Sequence, residues 1–316
     1  IESVYDEITV RIVYEGRAAK VNLNNTKLKE IEEYYKICET AGANEYQIDE
    51  SKRVVTQMDV ILGDPKRLKL VAEDFVEHYE KRIEERATVK GKVMFVASSR
   101  QIAYELYKQI IALRPQWGEI RECDEGEELT EKERQEIKPI EKIKMVMTRH
   151  KDDKEKLYNL LGTKEYRKEL DRQYKNVKSN FKIAIVVDMW LTGFDVPFLD
   201  TIYIDKPIQQ HSLIQTISRV NRVYEGKETG LVVDYIGIKS SMNVALKKYG
   251  FVDGDNFDGT DKAVVIVKDQ LDLLGKIFHK FDSSPYFKGT SLQQLQCLNQ
   301  AAEFAQQTEQ LEKRFM

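Results

Sequence analysis

Three short apolar runs set the pattern of this chain: Ile183–Val187, Thr201–Ile204 and Leu231–Val233. Each is rich in Val or Ile and bounded by polar loops, the mark of a strand buried on both faces. Between the second and third, Gln209–Arg222 has helical spacing. Strand, loop, strand, helix, strand across Phe181–Tyr235 predicts a parallel α/β sheet. Lys92–Ala97 (KVMFVA) and Ile143–Thr148 (IKMVMT) are further strand candidates. Leu68, Val71, Phe75, Tyr79 and Ile83 line one face of a helix that opens on Asp64-Pro65, an N-cap and first-turn proline, and runs to about Arg86. A second helix carries Ile102, Leu106, Ile110 and Leu113, and an earlier one is expected over Thr26–Cys38. Ile8–Val13 and Ala18–Leu23 flank Glu15-Gly16-Arg17, which reads as a hairpin or as two short extended segments. Lys154–Asn176 is a charged helical stretch broken near Gly162-Thr163. Toward the end, Asn243–Tyr249 reads as a short helix and Asp253–Gly259 as a loop. Thr260 or Asp261 then caps a helix carrying Val267, Leu271, Leu274, Ile277, Phe278 and Phe281, and a last helix begins near Ser291.

The helix before the third run carries the sharpest chemical signal. Gln215, Arg219 and Arg222 stand at i, i+4 and i+7 and would share one face. Leu213, Ile217 and Val220 have the same spacing, offset by about 200°. One stripe can pack on the sheet while the other presents two guanidiniums outward; a solvated polar face has the same pattern. Ser98-Ser99-Arg100 follows a strand and opens a helix, where open α/β sheets bind ligands and backbone N–H groups favour a phosphate. An ordinary serine cap explains the same residues.

Composition narrows the setting. The chain has 316 residues, 41% hydrophobic and 33% charged, with a net charge of −3. The balance carries no global basic signature, so a nucleic-acid contact must be a local groove. Cys38, Cys123 and Cys297 are odd in number and far apart, without metal-ligand or disulfide spacing, which favours a reducing cytoplasm. No apolar run approaches the ~18 residues of a membrane span. The opening residues resemble neither a signal peptide nor an initiator start, so the chain is expected to begin inside a longer protein. Glu119–Glu136 is acidic and poor in large apolar residues, as a surface insertion would be; its Glu136-Ile137-Lys138 lacks the upstream strand aspartate of a nuclease site.

No G-x-x-x-x-G-K-[ST] loop occurs, and no acidic pair ends a strand where Mg²⁺ would be held. A complete P-loop nucleotide site is therefore not expected. Arginines on a packed helix could instead supply the other side of such a site, their planar forks fitting phosphate oxygens where a lysine would not.

The order of several short motifs carries a resemblance. QTISRVNR (Gln215–Arg222) resembles motif VI of superfamily 2 helicases, DMWLTGFDVP (Asp188–Pro197) resembles motif V, and KVMFVASSR resembles motif IV. DMWLTGFD, Asp205-Lys206-Pro207, ISRVNR and GLVVDYIG (Gly230–Gly237) in series resemble the motor (R, HsdR) subunit of type I restriction enzymes, and YEGR (Tyr14–Arg17) and FHKFD (Phe278–Asp282) fit it too. Many superfamily members have Ala-Thr before the motif V aspartate, where this chain has Val186-Val187.

The resemblance implies a RecA-like parallel-sheet domain, the second motor domain, over 90–240. Residues 1–89 would lead to it from a first motor domain, and 241–316 would begin a helical region. It implies Arg222 as arginine finger, Arg219 as second γ-phosphate contact and Gln215 as a link to the interdomain interface, with Gly193 and Asp195 shaping the motif V loop. Ser98, Ser99, Arg100 and Thr192 would touch the DNA backbone, without sequence readout. ATP and Mg²⁺ would be held mainly by the first motor domain and double-stranded DNA moved past both domains, with a nuclease domain and the specificity and methyltransferase subunits as partners. Inactivity of this chain by itself is expected. Another superfamily 2 helicase or remodeller, or a non-catalytic DNA-binding adaptor, are the alternatives.

Overall fold

The computed structural model describes residues 9–21, 58–123, 128–191, 193–208, 210–238, 258–259 and 281–305. The chain divides into two units, Ile1–Phe257 and Asp258–Met316. The strands of the first unit are β1 (Arg11–Gly16), β2 (Val93–Ala97), β3 (Ile120–Arg121), β4 (Ile140–Glu141), β5 (Ile143–Val146), β6 (Ile183–Val186), β7 (Thr201–Asp205) and β8 (Thr229–Asp234). Six of them form a sheet in the order β5-β6-β2-β7-β8-β1, and every neighbouring pair is parallel. β2, β5, β6 and β7 are buried along their whole length, as their unbroken apolar runs require. Because the strands are parallel, their C-terminal ends lie along one rim.

The helices are α1 (Pro65–Glu84), α2 (Arg100–Leu113), α3 (Glu131–Glu136), α4 (Glu155–Leu161), α5 (Lys164–Tyr174) and α6 (Gln210–Ile217). Asp64 caps α1 by accepting from the Arg67 backbone N–H at 2.9 Å, with Pro65 in the first turn. Phe75 of α1 meets Tyr203 of β7 edge-on at 4.7 Å and Phe95 of β2 at 5.4 Å. Phe95 and Tyr203 are register partners across β2 and β7. Burying such a ring contributes about 1.5–3 kcal/mol, so this layer fixes α1 on the sheet. α4 and α5 are separated where expected, at Gly162, whose φ of +62° a side chain would strain. Their apolar side chains Leu157, Leu161, Leu170 and Tyr174 are buried. The acidic insertion is a surface appendage, in which β3 pairs antiparallel with β4 and α3 buries nothing.

Two readings of the early chain change. Residues 11–21 form no hairpin: β1 is a single strand parallel to β8, followed by a 3₁₀ turn at Ala18–Val21. Arg17, between the two, donates through Nε and Nη2 to Asp74 of α1 at 2.6 and 2.8 Å. β1, expected to lead up to the sheet, is a strand of it, and α1 packs on it. Arg67 ties α1 to β7. It is 1% exposed; both its Nη atoms donate to the fully buried Asp205 at the end of β7, and Nη1 also reaches the Leu62 carbonyl at 3.0 Å. Sequence patterning gives no sign of this pair, since an arginine in a first helical turn reads as surface.

Around β1 lies a buried polar group. Tyr14 donates to Asp234, Tyr235 donates to Asp74 at 2.9 Å, and His78 meets Tyr203 Oη at 2.8 Å. Glu15 lies 3.3 Å from His78 and also accepts from Arg17. Hydrogen bonding to His78 and then the charges of His78 and Arg17 hold the Glu15 carboxyl down at about 2, against the opposing effect of burial.

In the second unit, α7 (Ser284–Lys288) and α8 (Ser291–Ala305) are described. The last helix starts where expected, after Thr290, whose backbone N–H donates to Gln293 at 2.8 Å. Cys297 is buried and Phe281 meets Phe304 at 5.5 Å. The helices expected over Thr26–Cys38, Asn243–Tyr249 and Val267–Phe278 lie outside the described residues. Among the described residues no helix is long and apolar enough to cross a membrane.

Two stability predictions follow from the buried charges. Arg67→Ala leaves Asp205 buried without its partner and is expected to cost about 3–5 kcal/mol in urea unfolding. A loss within experimental error would show that Asp205 takes up a proton and rests without the arginine. Glu15 has a folded pKa of about 2 against an ordinary 4.5, so its contribution is present above 4.5 and disappears as pH falls toward 2. The stability difference between the parent chain and Glu15→Gln should therefore shrink as pH falls through that window; a difference unchanged across it would rule the assignment out.

Candidate functional site

The rim of the sheet gathers most of the residues singled out in the sequence. β6 runs out into the loop Val187–Pro197, and Trp190 and Gly193 in it both have φ of +68°. Gly193 suits that conformation, and a Cβ there would meet nothing within 4 Å, so backbone shape and not crowding calls for glycine. Trp190 adopts it at a cost of about 1–3 kcal/mol. Packing offsets that cost: its ring stacks on Phe194 at 4.1 Å and 1°, with Tyr174 at 5.2 Å and Phe181 at 6.4 Å around it.

The helix before β8 is shorter than its spacing predicts. α6 stops at Ile217 and not at Arg222. The Arg219 and Val220 N–H groups reach back only three residues, to Thr216 and Ile217, in a tightening last turn. The chain then straightens: Asn221 accepts from the Val10 N–H at 2.8 Å and Arg222 bridges Thr9. Gly230 of β8 permits this, because a Cβ there would fall 2.1 Å from the Val220 carbonyl. Leu213, Ile217 and Val220 are buried as expected. Gln215, Arg219 and Arg222 do not form one helical face; only Gln215, half-buried, lies on the helix. A helical spacing cannot foresee a competing backbone partner from residues 9–10.

The two arginines nevertheless converge on the same loop. Arg219 Nε donates to the Leu191 carbonyl at 3.2 Å and Nη1 to that of Phe194. Burial pushes its pKa down, Asp195 opposes this and Arg222 adds to it. Arg222 is exposed, with Nε 3.4 Å from Asp195 Oδ1. Their side chains are 53% and 57% exposed, so the pair is weak, on the order of 0–1 kcal/mol. Arg219 thus anchors the loop, while the fork of Arg222 faces solvent beside it.

Lys227, which the sequence does not single out, closes the far end of the loop by donating to the Pro197 and Leu199 carbonyls at 3.0 and 2.7 Å. Burial pulls its pKa down to about 8. Its setting, Glu225-Gly226-Lys227-Glu228, is that of an ordinary polar turn and holds no signal. Lys206, after β7, donates to the Val187 carbonyl at 3.0 Å and to Asp188.

The other group of predicted residues follows β2. Ser99 caps α2, accepting from the Ile102 N–H at 3.4 Å. Ser98 Oγ is buried without a protein partner. Arg100 donates through Nη2 to both carboxylate oxygens of Asp153 and through Nη1 to the Thr148 carbonyl. Its guanidinium is therefore occupied within the protein, which the sequence reading as a DNA contact did not anticipate. Thr192 lies outside the described residues. Among the described residues no cluster of His, Cys, Asp or Glu could hold a metal ion.

Comparison with known proteins gives this geometry a family. A model of type I restriction enzyme subunit R domain 3 matches residues 88–237, and a model of the C-terminal part of the HindI-like endonuclease subunit matches residues 252–316. The type I restriction enzyme HindI endonuclease subunit of Haemophilus influenzae is 35% identical over 282 residues, 88% of this chain and 24% of that protein. The type I restriction enzyme SauCOLORF180P endonuclease subunit of Staphylococcus aureus is 37% identical over 115 residues, 34% of this chain and 12% of that protein. The ATP-dependent type ISP enzyme LlaBIII, solved bound to DNA, is 14% identical, with a TM-score of 0.33 over 74% of this chain and 12% of that one. That likeness is too distant to place any residue. The chain spans a quarter or less of the length of these relatives. Two models in sequence order, matching both units, and a relative aligned along most of the chain lead to one assignment: this chain belongs to the family of type I restriction enzyme R subunits.

Proposed function

We propose that this chain is the second motor domain of such a subunit, with the start of the helical region that follows, and that it completes an ATP site held mainly by a first RecA-like domain. The observation that carries this is the division between Arg219 and Arg222. One guanidinium fixes the Leu191–Asp195 loop from within, and the other stands exposed at its edge with one weak contact, to Asp195. An exposed, positioned arginine fork suits a phosphate arriving on a partner domain. Arg222 is the residue that would meet the γ-phosphate of ATP. Arg219 would hold it in place through the loop, and Gln215, a turn earlier, would face the same interface.

ATP would bring with it Mg²⁺ and the cleavable phosphoanhydride, while this chain's residues bind and orient. Approach and separation of two rigid cores, each holding the backbone of double-stranded DNA, would move the duplex along. In the parent protein a nuclease domain would cut the DNA, and specificity and methyltransferase subunits would read and modify the site.

In the parent protein, Arg222→Ala is expected to lower DNA-stimulated ATP turnover by about 10³-fold or more. Its urea midpoint and duplex affinity should stay unchanged, because the exposed pair with Asp195 is worth little. Arg219→Ala should lower turnover and also stability, by about 1–3 kcal/mol, since it strips the donors from two loop carbonyls. Full turnover by Arg222→Ala would refute the reading, and so would ATP hydrolysis by this chain alone.

A further inference from the structure

The loop after β5, Thr148–Lys154, lies on the same rim. It contains Arg149, Lys151 and Lys154 among exposed or half-buried positions, with Thr148 and His150 exposed. The Arg149 guanidinium sits over the Tyr158 ring of α4, 4.3 Å from its centre, which limits the orientations the fork can take. The acids nearby are Asp152 and Glu155, both exposed, Asp188, paired with Lys206, and Asp153.

Asp153 is the keystone of this loop. Its side chain is 8% exposed and takes both bonds from Arg100 Nη2. Oδ2 also accepts from the His150 N–H at 2.6 Å, so the loop closes on itself. Nη1 of Arg100 meanwhile holds the Thr148 carbonyl. Arg100 thus grips the loop at both ends, and its charge and that of Asp153 cancel. What remains facing outward is the positive charge of Arg149, Lys151 and Lys154 against Asp152 and Glu155.

We propose that Arg100 is a positioning residue and not itself a DNA contact: with Asp153 it clamps the Thr148–Lys154 loop so that Arg149 and Lys151 meet the phosphate backbone of the duplex. This rests on the DNA-translocating reading above. A clamp and a contact differ physically in one respect. A residue that touches phosphate releases a counterion, and its loss lowers the slope of log K against log[salt] by about 0.9. A residue that only holds a loop leaves that count alone, and its loss adds the cost of ordering the loop on binding.

The test is binding of a short random-sequence duplex by the parent protein over a series of salt concentrations, with hydrogen exchange at the His150 amide followed in parallel. Arg100→Ala and Asp153→Ala are each expected to weaken binding by about tenfold, with the double variant no weaker than either single one. Both should leave the salt slope unchanged and speed exchange at His150. Arg149→Ala and Lys151→Ala should each lower the slope by about one, with the urea midpoint of each variant measured alongside. Binding of Asp153→Ala as tight as that of the unaltered protein, or tighter, would overturn the clamp, because it would mean that released Arg100 serves as a contact. So would a slope lowered by about one in Arg100→Ala, or slopes unchanged in Arg149→Ala and Lys151→Ala. No binding by the unaltered protein would instead overturn the DNA reading itself, and the clamp with it.

Discussion

Parallel strands buried on both faces have nowhere to put polar chemistry except at their ends. In this sheet every strand of the first unit points the same way, so the segments after β2, β5, β6 and β7 come out along a single rim. Ser98–Arg100, Thr148–Lys154, Val187–Pro197 and Lys206 are far apart in the chain and adjacent in the fold for that reason. The constraint also explains the flanks. A strand with no exposed face needs a helix on each side, and α1 meets that need through its apolar face and the buried pair of Arg67 with Asp205. β1 is held in place by Tyr14, which donates to Asp234, and by the following Arg17, which donates to Asp74.

The positive charges along the rim divide into two kinds. Arg219, Arg100, Lys206 and Lys227 donate mainly to backbone carbonyls or to nearby carboxylates of the protein. They fix the shape of loops that no regular hydrogen-bond ladder supports. Arg222, Arg149 and Lys151 stand beside those loops with their charged ends accessible or half so. A rigid loop that carries an accessible cation is what phosphate binding requires, since ordering a loop at the moment of binding would consume part of the affinity. The left-handed Trp190, held by its stack on Phe194, shows the same principle in the apolar part of the structure.

By itself the sequence determined the parallel α/β class, five of the six strands of the sheet as apolar runs, the break at Gly162 and the start of the last helix. Those features depend on local periodicity, capping and the burial of whole runs, and all of these are written residue by residue. It also determined that Gly193, Asp195, Arg219 and Arg222 belong to one region, through motifs read in series. Only the tertiary structure decided which of these side chains the protein itself holds and which stand accessible. Helix α6 ends at Ile217 because Thr9 and Val10 compete for the backbone of Asn221–Arg222, and Arg100 turns inward because Asp153 lies within reach. Helical periodicity describes a chain and its immediate neighbours. A hydrogen bond between residues 211 or 53 positions apart belongs to the fold, and such bonds distinguish the arginines whose guanidiniums the protein holds from those that stand accessible.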